Sequence, residues 1–335
     1  MKNVTLRQLR VFAEVARRLS FVRAAEALHV TAPAVTMQVK ELETAVGLPL
    51  FDRRGRAVSL TTTGEYLLVY ARRMIATMRE AEDAMASLQR VEAGLLNVGL
   101  VSTAKYFVPR LLARFSASHP GVEIRLQVSG NREQLVTMLR DKEIDLAIMG
   151  RPPKEIATRS HPFAAHPLVI ACEPDHAWLG RRSVKASFAA DLPFIAREPG
   201  SGTRQAMEDF FEAHGCRPRI VMEMSSNEPI KQAVMAGMGI SLLSLHTLGL
   251  ELHSGLLGML RVENTPLMRT WYIVQANAKV LSPVADAFRQ FVLDEGDAYL
   301  TAHDAPLLDA FHRGTPVGMP GVTKPRKRSV RARAP

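Results

Sequence analysis

Apolar residues recur at helical spacing through the first sixty residues of the chain, in three separate stripes. The first stripe consists of Leu6, Leu9, Phe12, Ala13 and Ala16. Two further helices are predicted between residues 20 and 43, one on each side of a tight turn at residues 29–31. Ser20 and Thr31 are good N-caps for them, and Pro33 falls in a first helical turn, where a missing N–H is harmless. The pattern predicts a cluster of three short helices.

The last helix of this cluster has one buried and one outward face. The buried face is marked by Val35, Val39, Leu42 and Val46. The outward face carries Ala32, Thr36, Met37 and Lys40. A narrow helix with a few side chains for base edges and a cation for phosphate suits the major groove of DNA. An ordinary helical hairpin inside a core is the alternative.

A small hairpin with a cationic tip is predicted after the three helices. Residues 50–51 and 58–60 are short apolar arms around a turn at Gly55. Arginines at such a tip can lie on phosphates or enter the minor groove, whereas a solvated charged turn is the alternative. The residues expected to contact DNA are Ser20, Arg23, Thr31, Ala32, Pro33, Thr36, Met37, Lys40, Arg53, Arg54 and Arg56.

A long helix is predicted over residues 63–90, with an unbroken heptad seam. The seam consists of Leu67, Ala71, Met74, Met78, Ala81, Met85 and Leu88. A lone seam cannot bury itself, so a partner helix is implied, and a homodimer would place two reading helices about one turn of DNA, roughly 34 Å, apart. Burial against the chain's own core is the alternative.

From Glu92 onward the pattern changes to short apolar strands separated by helices. The β-α-β-α-β order of residues 95–150 is typical of a parallel sheet with right-handed crossovers. The strands predicted after residue 150 are more than a single β-α-β-α-β unit would contain. The last strand and helix are expected to return to the first half, which would give two α/β lobes with a cleft between them.

Ligands of open parallel sheets bind beyond the carboxyl ends of the strands, and here those ends carry hydroxyls and glycines. The sharpest run is residues 200–204, where two glycines allow close approach and Arg204 stands beside a helix N-terminus. This run suits phosphate or carboxylate; a plain Gly-rich helix start is the alternative. The candidate ligand-binding residues are Ser102, Thr103, Ser129, Asn131, Gly150, Gly200, Ser201, Gly202, Thr203, Arg204, Ser226 and Asn227.

Charge is concentrated at the two ends of this 335-residue chain of net charge +10. Residues 1–60 carry +5, residues 313–335 carry +7, and the middle sums to −2. Basic ends favour a polyanionic partner such as DNA. Cys172 and Cys216 lie far apart in the sequence, which is typical of buried thiols in a protein of a reducing compartment. Without an 18-residue apolar run or a signal peptide, we expect a cytoplasmic protein and no membrane partner.

Motifs of common enzymes are missing from the sequence. It contains no G-x-G-x-x-G, G-x-S-x-G or H-E-x-x-H run, and no acid–base pair stands out among its carboxylates. His161 and His166 are separated by four residues in a segment with a strand-like pattern. We interpret them as ordinary strand-end histidines and not as metal ligands. The sequence predicts neither an enzyme nor a metal site.

Residues 5–64 resemble the winged helix-turn-helix of LysR-type transcriptional regulators. The resemblance is carried by L-R-Q-L-R-V-F, S-F-V-R-A-A-E-A-L-H-V-T-A-P-A-V-T, L-E-T-A-V-G-L-P-L-F-D-R-R and L-T-T-T-G. Many members have Gln and Arg on the reading helix where this chain has Ala32 and Met37. Direct readout would then depend more on Thr36 and Lys40, with Ala32 or Pro33 against thymine methyls.

The resemblance implies a domain order. An all-α winged helix-turn-helix at residues 1–62 is followed by a dimerising linker helix at 63–91. An α/β effector domain like type 2 periplasmic binding proteins spans 92–300, with lobe I at 92–164 and 266–300 and lobe II at 165–265. The tail, 301–335, is Pro/Gly-rich and then cationic, and we expect it to be disordered.

The stretches V-S-T-A-K-Y-F-V-P-R-L-L, E-P-G-S-G-T-R and M-E-M-S-S-N-E-P-I-K-Q-A-V look like one branch of that family, which regulates the RuBisCO operon. This resemblance implies a cytoplasmic activator of carbon dioxide fixation genes that binds operator DNA as a homodimer or dimer of dimers and acts on RNA polymerase. Its implied effector is a small anion, a phosphorylated metabolite or NADPH, with no bound cofactor. The alternatives are a regulator of amino-acid or aromatic catabolism, and a small-molecule binding protein without regulatory DNA binding.

Overall fold

The computed structural model describes residues 4–52, 58–89 and 93–313. Its first domain contains helices α1 (Leu6–Arg18), α2 (Phe21–Ala27) and α3 (Ala32–Val46) and strands β1 (Phe51–Asp52) and β2 (Ser59–Leu60). The Ser20 hydroxyl accepts from the N–H of Arg23, and that of Thr31 accepts from the N–H of Ala34, so both act as N-caps. The predicted three-helix cluster is confirmed.

The three helices enclose one apolar core in which Phe12, Val15, Val35, Val39 and Leu42 are fully buried. Strands β1 and β2 pair in antiparallel fashion, Phe51 opposite Leu60, and form the arms of the predicted wing. Its tip, with Arg53, Arg54 and Arg56, lies outside the described residues.

Helix α4 (Thr62–Gln89) leaves this domain as a long rod, but its first turns belong to the domain core. Gly64 lies so close to the wing that a Cβ there would be 2.1 Å from the carbonyl oxygen of Leu50. Leu67 and Ala71 are 8% and 0% exposed in the same core. The prediction that these two residues belong to an intermolecular seam is therefore wrong, because they pack within their own protomer.

The solvent-facing apolar side chains of α4 lie on a neighbouring face. Tyr66, Tyr70, Met74 and Met78 are 70%, 57%, 41% and 46% exposed. Ala81 is also exposed, whereas the side chains of Met85 and Leu88 lie outside the described residues. We call Tyr66, Tyr70, Met74 and Met78 the α4 stripe.

The remaining residues form the second domain. Its strands are β3 (Ala93–Val101), β4 (Gly121–Ser129), β5 (Leu146–Met149), β6 (Thr158–Cys172), β7 (Pro193–Arg197), β8 (Arg219–Met224), β9 (Ser241–Ser244), β10 (Gly258–Leu260) and β11 (Leu267–Ala276). Its helices are α5 (Val108–Ser118), α6 (Arg132–Arg140), α7 (Ala186–Asp191), α8 (Gly202–Ala213), α9 (Asn227–Met235), α10 (Gly249–His253) and α11 (Pro283–Arg313).

One sheet runs through this domain in the order β10-β6-β11-β5-β3-β4, with β9 also paired to β6 and a separate β7-β8 pair. Strands β4, β3 and β5 are parallel, as their alternation with helices predicts. Strand β11 returns to lie antiparallel between β5 and β6 and pairs with β6 along ten residues. Long strands β6 and β11 thus connect two lobes, each with its own apolar core.

Helix α11 corrects the expectation of a disordered tail from residue 301. It continues to Arg313, and Leu307 is fully buried in the second lobe's core. Asp304 is 4% exposed and pairs with His246 at 3.0 Å. The helix continues because residues 304–311 still present buried side chains to this lobe, whereas residues 314–335 lie outside the described part. None of the described helices is long and apolar enough to cross a bilayer.

Candidate functional site: an anion cleft and a DNA-facing helix

A cavity of about 60 Å³ lies between the lobes, at the carboxyl ends of β3, β4 and β5 and against the start of α8. Open α/β sheets bind ligands at this edge. Seven of the sequence-predicted residues line it: Ser102, Thr103, Asn131, Gly150, Ser201, Gly202 and Thr203. The structure therefore brings together residues that are up to a hundred positions apart in the chain.

Two helices start at the cavity wall. The Asn131 side chain caps α6 by accepting from the N–H of Gln134 at 2.8 Å. The Ser201 hydroxyl caps α8 by accepting from the N–H of Arg204 at 3.0 Å. The earlier N–H groups of a helix have no partner within the helix, and for α8 these belong to Gly202 and Thr203, which line the cavity. Both helix starts therefore favour an anion.

Four arginines and one glutamate are among the described residues that line the cavity: Arg132, Arg151, Arg197, Arg269 and Glu198. Arg197 is 4% exposed and is paired with Glu198 at 2.7 and 2.8 Å. It also donates to Asn227 at 2.9 Å and to Ser102 across the cleft at 3.3 Å. Because Glu198 balances Arg197, the rest of the wall has an excess of positive charge.

Arg132 and Arg269 are held in place by acceptors around the cavity. Arg132 makes two bonds to Glu155, at 2.8 and 3.1 Å, and this pairing lowers the pKa of Glu155 to about 2. Arg269 donates to the carbonyl of Gly202 at 2.9 Å. Burial and the nearby Arg151 lower the pKa of Arg269 from its ordinary value, so an anion placed there would relieve an unfavourable environment.

The inner wall is formed by His166 and Trp271, from β6 and β11. Their rings are stacked with centroids 4.0 Å apart and an interplanar angle of 18°. His166 is 6% exposed, and burial, together with the charges of His246 and Arg269, holds its pKa well below the usual value. The interpretation of His166 as an ordinary strand-end histidine is therefore wrong, since it is a wall of the cavity.

Several predicted residues support the cavity without lining it. Ser129 donates to the carbonyl of Asn131 at 2.6 Å, and Asn227 accepts from Arg197. Gly200 forms the turn before α8 with a φ of 84°, where glycine is favoured. Ser226 precedes α9 as its N-cap residue, without a side-chain capping bond.

The structure does not bring Arg204 into the cavity lining. Its guanidinium donates to Glu208 at 2.6 Å, to Glu223 at 2.8 Å and to the backbone carbonyl of Arg197 at 3.1 Å. Arg204 is the third residue of α8, so its side chain lies on the flank of the first helical turn. There it contacts β8 and not the cavity.

Sequence reasoning missed Arg132, Arg197, Arg269, His166 and Trp271, and it placed Arg151 at a strand end without choosing it as a ligand-binding residue. Arg132 directly follows the predicted Asn131, so the strand-end rule extended by one residue would have found it. His166, Arg269 and Trp271 lie inside long strands, and only the pairing of β6 with β11 reveals which of their faces meets the cavity.

The outward face of α3 is open to solvent in the first domain. At its N-cap Thr31 and along the helix, Pro33 and Lys40 are exposed and Met37 is 55% exposed, and Arg23 of α2 is exposed as well. This surface is free to enter a DNA groove. The hydroxyl of half-buried Thr36 donates to the carbonyl of half-buried Ala32 at 3.0 Å, which leaves its oxygen free to accept from a base.

Both parts of the chain match family models. Residues 6–65 match the bacterial regulatory helix-turn-helix protein, lysR family, and residues 89–297 match the LysR substrate binding domain. Because a helix-turn-helix precedes the binding domain, the alternative of a binding protein without regulatory DNA binding is not supported.

Curated relatives cover nearly the whole chain. The chain is 48% identical to the HTH-type transcriptional regulator CfxR of Cupriavidus necator over 90% of this chain and 94% of the relative. It is 47% identical to the RuBisCO operon transcriptional regulator of Allochromatium vinosum over 88% and 97%. These relatives are transcriptional regulators and not enzymes.

Solved structures agree with the two-domain fold. The regulatory domain of CcmR from Synechocystis, in complex with 2-PG, is 39% identical and covers 60% of this chain and 96% of that one, with a TM-score of 0.57. Full-length CbnR in complex with its target DNA, 22% identical, supports the fold alone, with a TM-score of 0.66 over 86% and 99% of the chains. From these matches, the chain belongs to the LysR family of DNA-binding transcriptional regulators.

Proposed function

We propose that this LysR-type regulator controls carbon dioxide fixation genes, at a RuBisCO operon, in response to a small phosphorylated anion bound in the cleft. Relatives at 40–49% identity that are named RuBisCO operon, CfxR or CbbR regulators support the target genes. The observation that carries the effector class is the cleft itself, in which the starts of two helices and an excess of arginine converge.

The charges of the wall favour an effector with more than one anionic group. Arg269 and the start of α8 form one anion subsite on the second lobe's side, and Arg132 with the start of α6 forms another on the first. A phosphate monoester of a short carboxylic acid would place one anionic group at each. The CcmR regulatory domain, solved with 2-PG, supports this class of ligand.

Helix α6 offers a direct path from the effector to the DNA-binding arm. Its start is at the cleft, and Asp141 at its end accepts a hydrogen bond from Arg72 of α4 at 3.3 Å. An effector that favours one position of α6 shifts the equilibrium between orientations of α4 and of the reading helix. Activation at RNA polymerase would follow from the altered geometry of the bound promoter.

The chain acts on DNA as a homodimer, or as a pair of dimers, through α4. The α4 stripe supports this proposal because it exposes two tyrosines and two methionines in a row, more apolar surface than a lone helix normally leaves in water. The two reading helices of such a dimer would meet successive turns of one DNA face.

The effector proposal is tested by calorimetric titration of the full-length protein with 2-phosphoglycolate. Arg269→Met is expected to lower affinity about tenfold or more, because a charge-assisted hydrogen bond contributes about 1.5–3 kcal/mol. Arg204→Met is the matched control: it removes the same charge a few residues from the cleft and should bind nearly as wild type does. Equal affinity of wild type and Arg269→Met, or no binding to the wild type, would contradict the proposal.

The target is tested by footprinting on promoter DNA of a RuBisCO operon. Protection of a defined site, altered by 2-phosphoglycolate in wild type but not in Arg269→Met, is the expected result. A footprint that the compound leaves unchanged would reject the effector, and the absence of any footprint would reject the target.

A further inference from the structure

The inner wall of the cleft contains polar atoms that the protein does not satisfy. Among the described residues, neither ring nitrogen of His166 nor the Nε1 of Trp271 has a hydrogen-bond partner, although both side chains are buried. Leaving a buried donor or acceptor unpaired costs about 1–3 kcal/mol. An apolar ring at position 166 would fill the same space without this penalty, so stability alone does not account for the histidine.

The surroundings keep this imidazole uncharged. The ring is stacked on Trp271 and lies beside His246 at a centroid distance of 5.8 Å, and the apolar Met149 and Leu168 line the same cavity. Arg269 adds a positive charge nearby, and no carboxylate contacts either ring nitrogen. A neutral imidazole offers one donor and one acceptor, which suits an uncharged oxygen better than an ionised one.

The backbone at Gly150 leaves space for the His166 ring. A Cβ on Gly150 would lie 3.0 Å from Nδ1 of His166, so a larger residue there would press on the ring. Glycine at this strand end therefore leaves room both for the imidazole and for a ligand that approaches it.

We propose that His166 is the residue that reads the uncharged middle of the effector, donating a hydrogen bond from its neutral ring to the ester oxygen of a phosphate monoester. The inference rests on the proposed effector class. In 2-phosphoglycolate the ester oxygen is the one oxygen outside the ionised phosphate and carboxylate groups. It lies between them in the molecule, and His166 and Trp271 line the same cavity as the two anion subsites.

The test compares 2-phosphoglycolate with 3-phosphonopropionate, in which a methylene replaces the ester oxygen and the two anionic groups keep their spacing. Both are titrated calorimetrically into full-length wild type, His166→Phe and His166→Gln at a pH where both compounds are fully ionised. Wild type should bind the ester about fivefold more tightly, the size expected of one neutral hydrogen bond. His166→Phe should bind the two compounds equally, and His166→Gln, which keeps a donor, should recover part of the preference.

A thermal melt without ligand separates recognition from a structural role. Because His166→Phe removes two unsatisfied nitrogens and keeps a flat ring against Trp271, it should melt at the same or a higher temperature than wild type. Wild type and His166→Phe with the same preference for the ester, or a lower melting temperature of His166→Phe with that preference intact, would overturn the proposal. If wild type binds neither compound, the proposed effector class fails and this inference fails with it, whereas tight binding of both compounds without preference refutes the role of His166 alone.

Discussion

Two substitutions three residues apart on α4 distinguish its two faces. Leu67 is 8% exposed inside the core of the first domain, whereas Tyr70 is 57% exposed in the α4 stripe. We expect Leu67→Ala to destabilise the DNA-binding domain and leave the dimer intact, and Tyr70→Ser to weaken the dimer and leave the domain folded. The heptad seam derived from sequence predicts the opposite for Leu67.

The magnitudes follow from the exposed areas. An aromatic side chain buries about 150–250 Å², so a tyrosine that is half exposed leaves roughly 100 Å² for a partner to cover. At about 25 cal/mol per Å², this contributes about 2.5 kcal/mol per copy, and a two-fold dimer contains two copies. Even half of that total, about 2.5 kcal/mol, would raise the dimer dissociation constant about 60-fold. Truncating a buried leucine, by contrast, costs about 2–5 kcal/mol of folding stability.

Sedimentation equilibrium of the full-length variants measures the dissociation constant, and circular dichroism during urea denaturation measures stability. Tyr70→Ser should shift toward monomer at micromolar concentration with an unchanged first-domain transition. Leu67→Ala should unfold at lower urea and remain associated when folded. A dimer that survives Tyr70→Ser but dissociates on Leu67→Ala would refute the assignment of the exposed face as the contact.

Three further outcomes are expected. Lys279→Met should cost about 3–5 kcal/mol in urea denaturation, because the buried Asp145, 2.7 Å away, loses its cationic partner and keeps only hydrogen bonds from Asn97; adding Asp145→Asn should recover part of this loss, and a single variant as stable as wild type would contradict the reasoning. Below about pH 6.5 the His166 imidazole becomes protonated in the unfolded chain, whereas in the folded chain its depressed pKa keeps it neutral. Acidification from pH 7 to 5.5 should therefore reduce the unfolding free energy of wild type, by up to about 1.4 kcal/mol per pH unit from this group, and less in His166→Phe; parallel pH curves would exclude this contribution. Lys40→Gln should weaken binding to all DNA sequences alike and reduce the slope of log affinity against log salt by about one, as loss of one phosphate contact does, and an unchanged slope in salt titrations would place Lys40 away from the backbone.

The local sequence pattern was sufficient to predict those features whose contacts join residues close together in the chain. The caps at Ser20 and Thr31 and the alternation of apolar positions in α3 depend on contacts within four residues, so they could be predicted. The polar strand ends that meet at the cleft were also predicted, because parallel strands must end at one edge of their sheet. The contacts of Arg204 could not be predicted, because the spacing identifies a helix start but does not say whether Glu208 and Glu223 will pair with the guanidinium.

The amino-acid sequence by itself determined a winged helix-turn-helix, a long helix and an α/β domain with a cleft, because hydrophobic period and capping residues act over short distances. Only the tertiary structure decided which face of α4 stays exposed, since Leu67 is buried by α1 and the wing. It also decided that α11 continues past residue 301, because the second lobe covers Leu307. The antiparallel pairing of β6 with β11 placed His166, Arg269 and Trp271 at one cavity, and no local rule can predict contacts across a hundred residues.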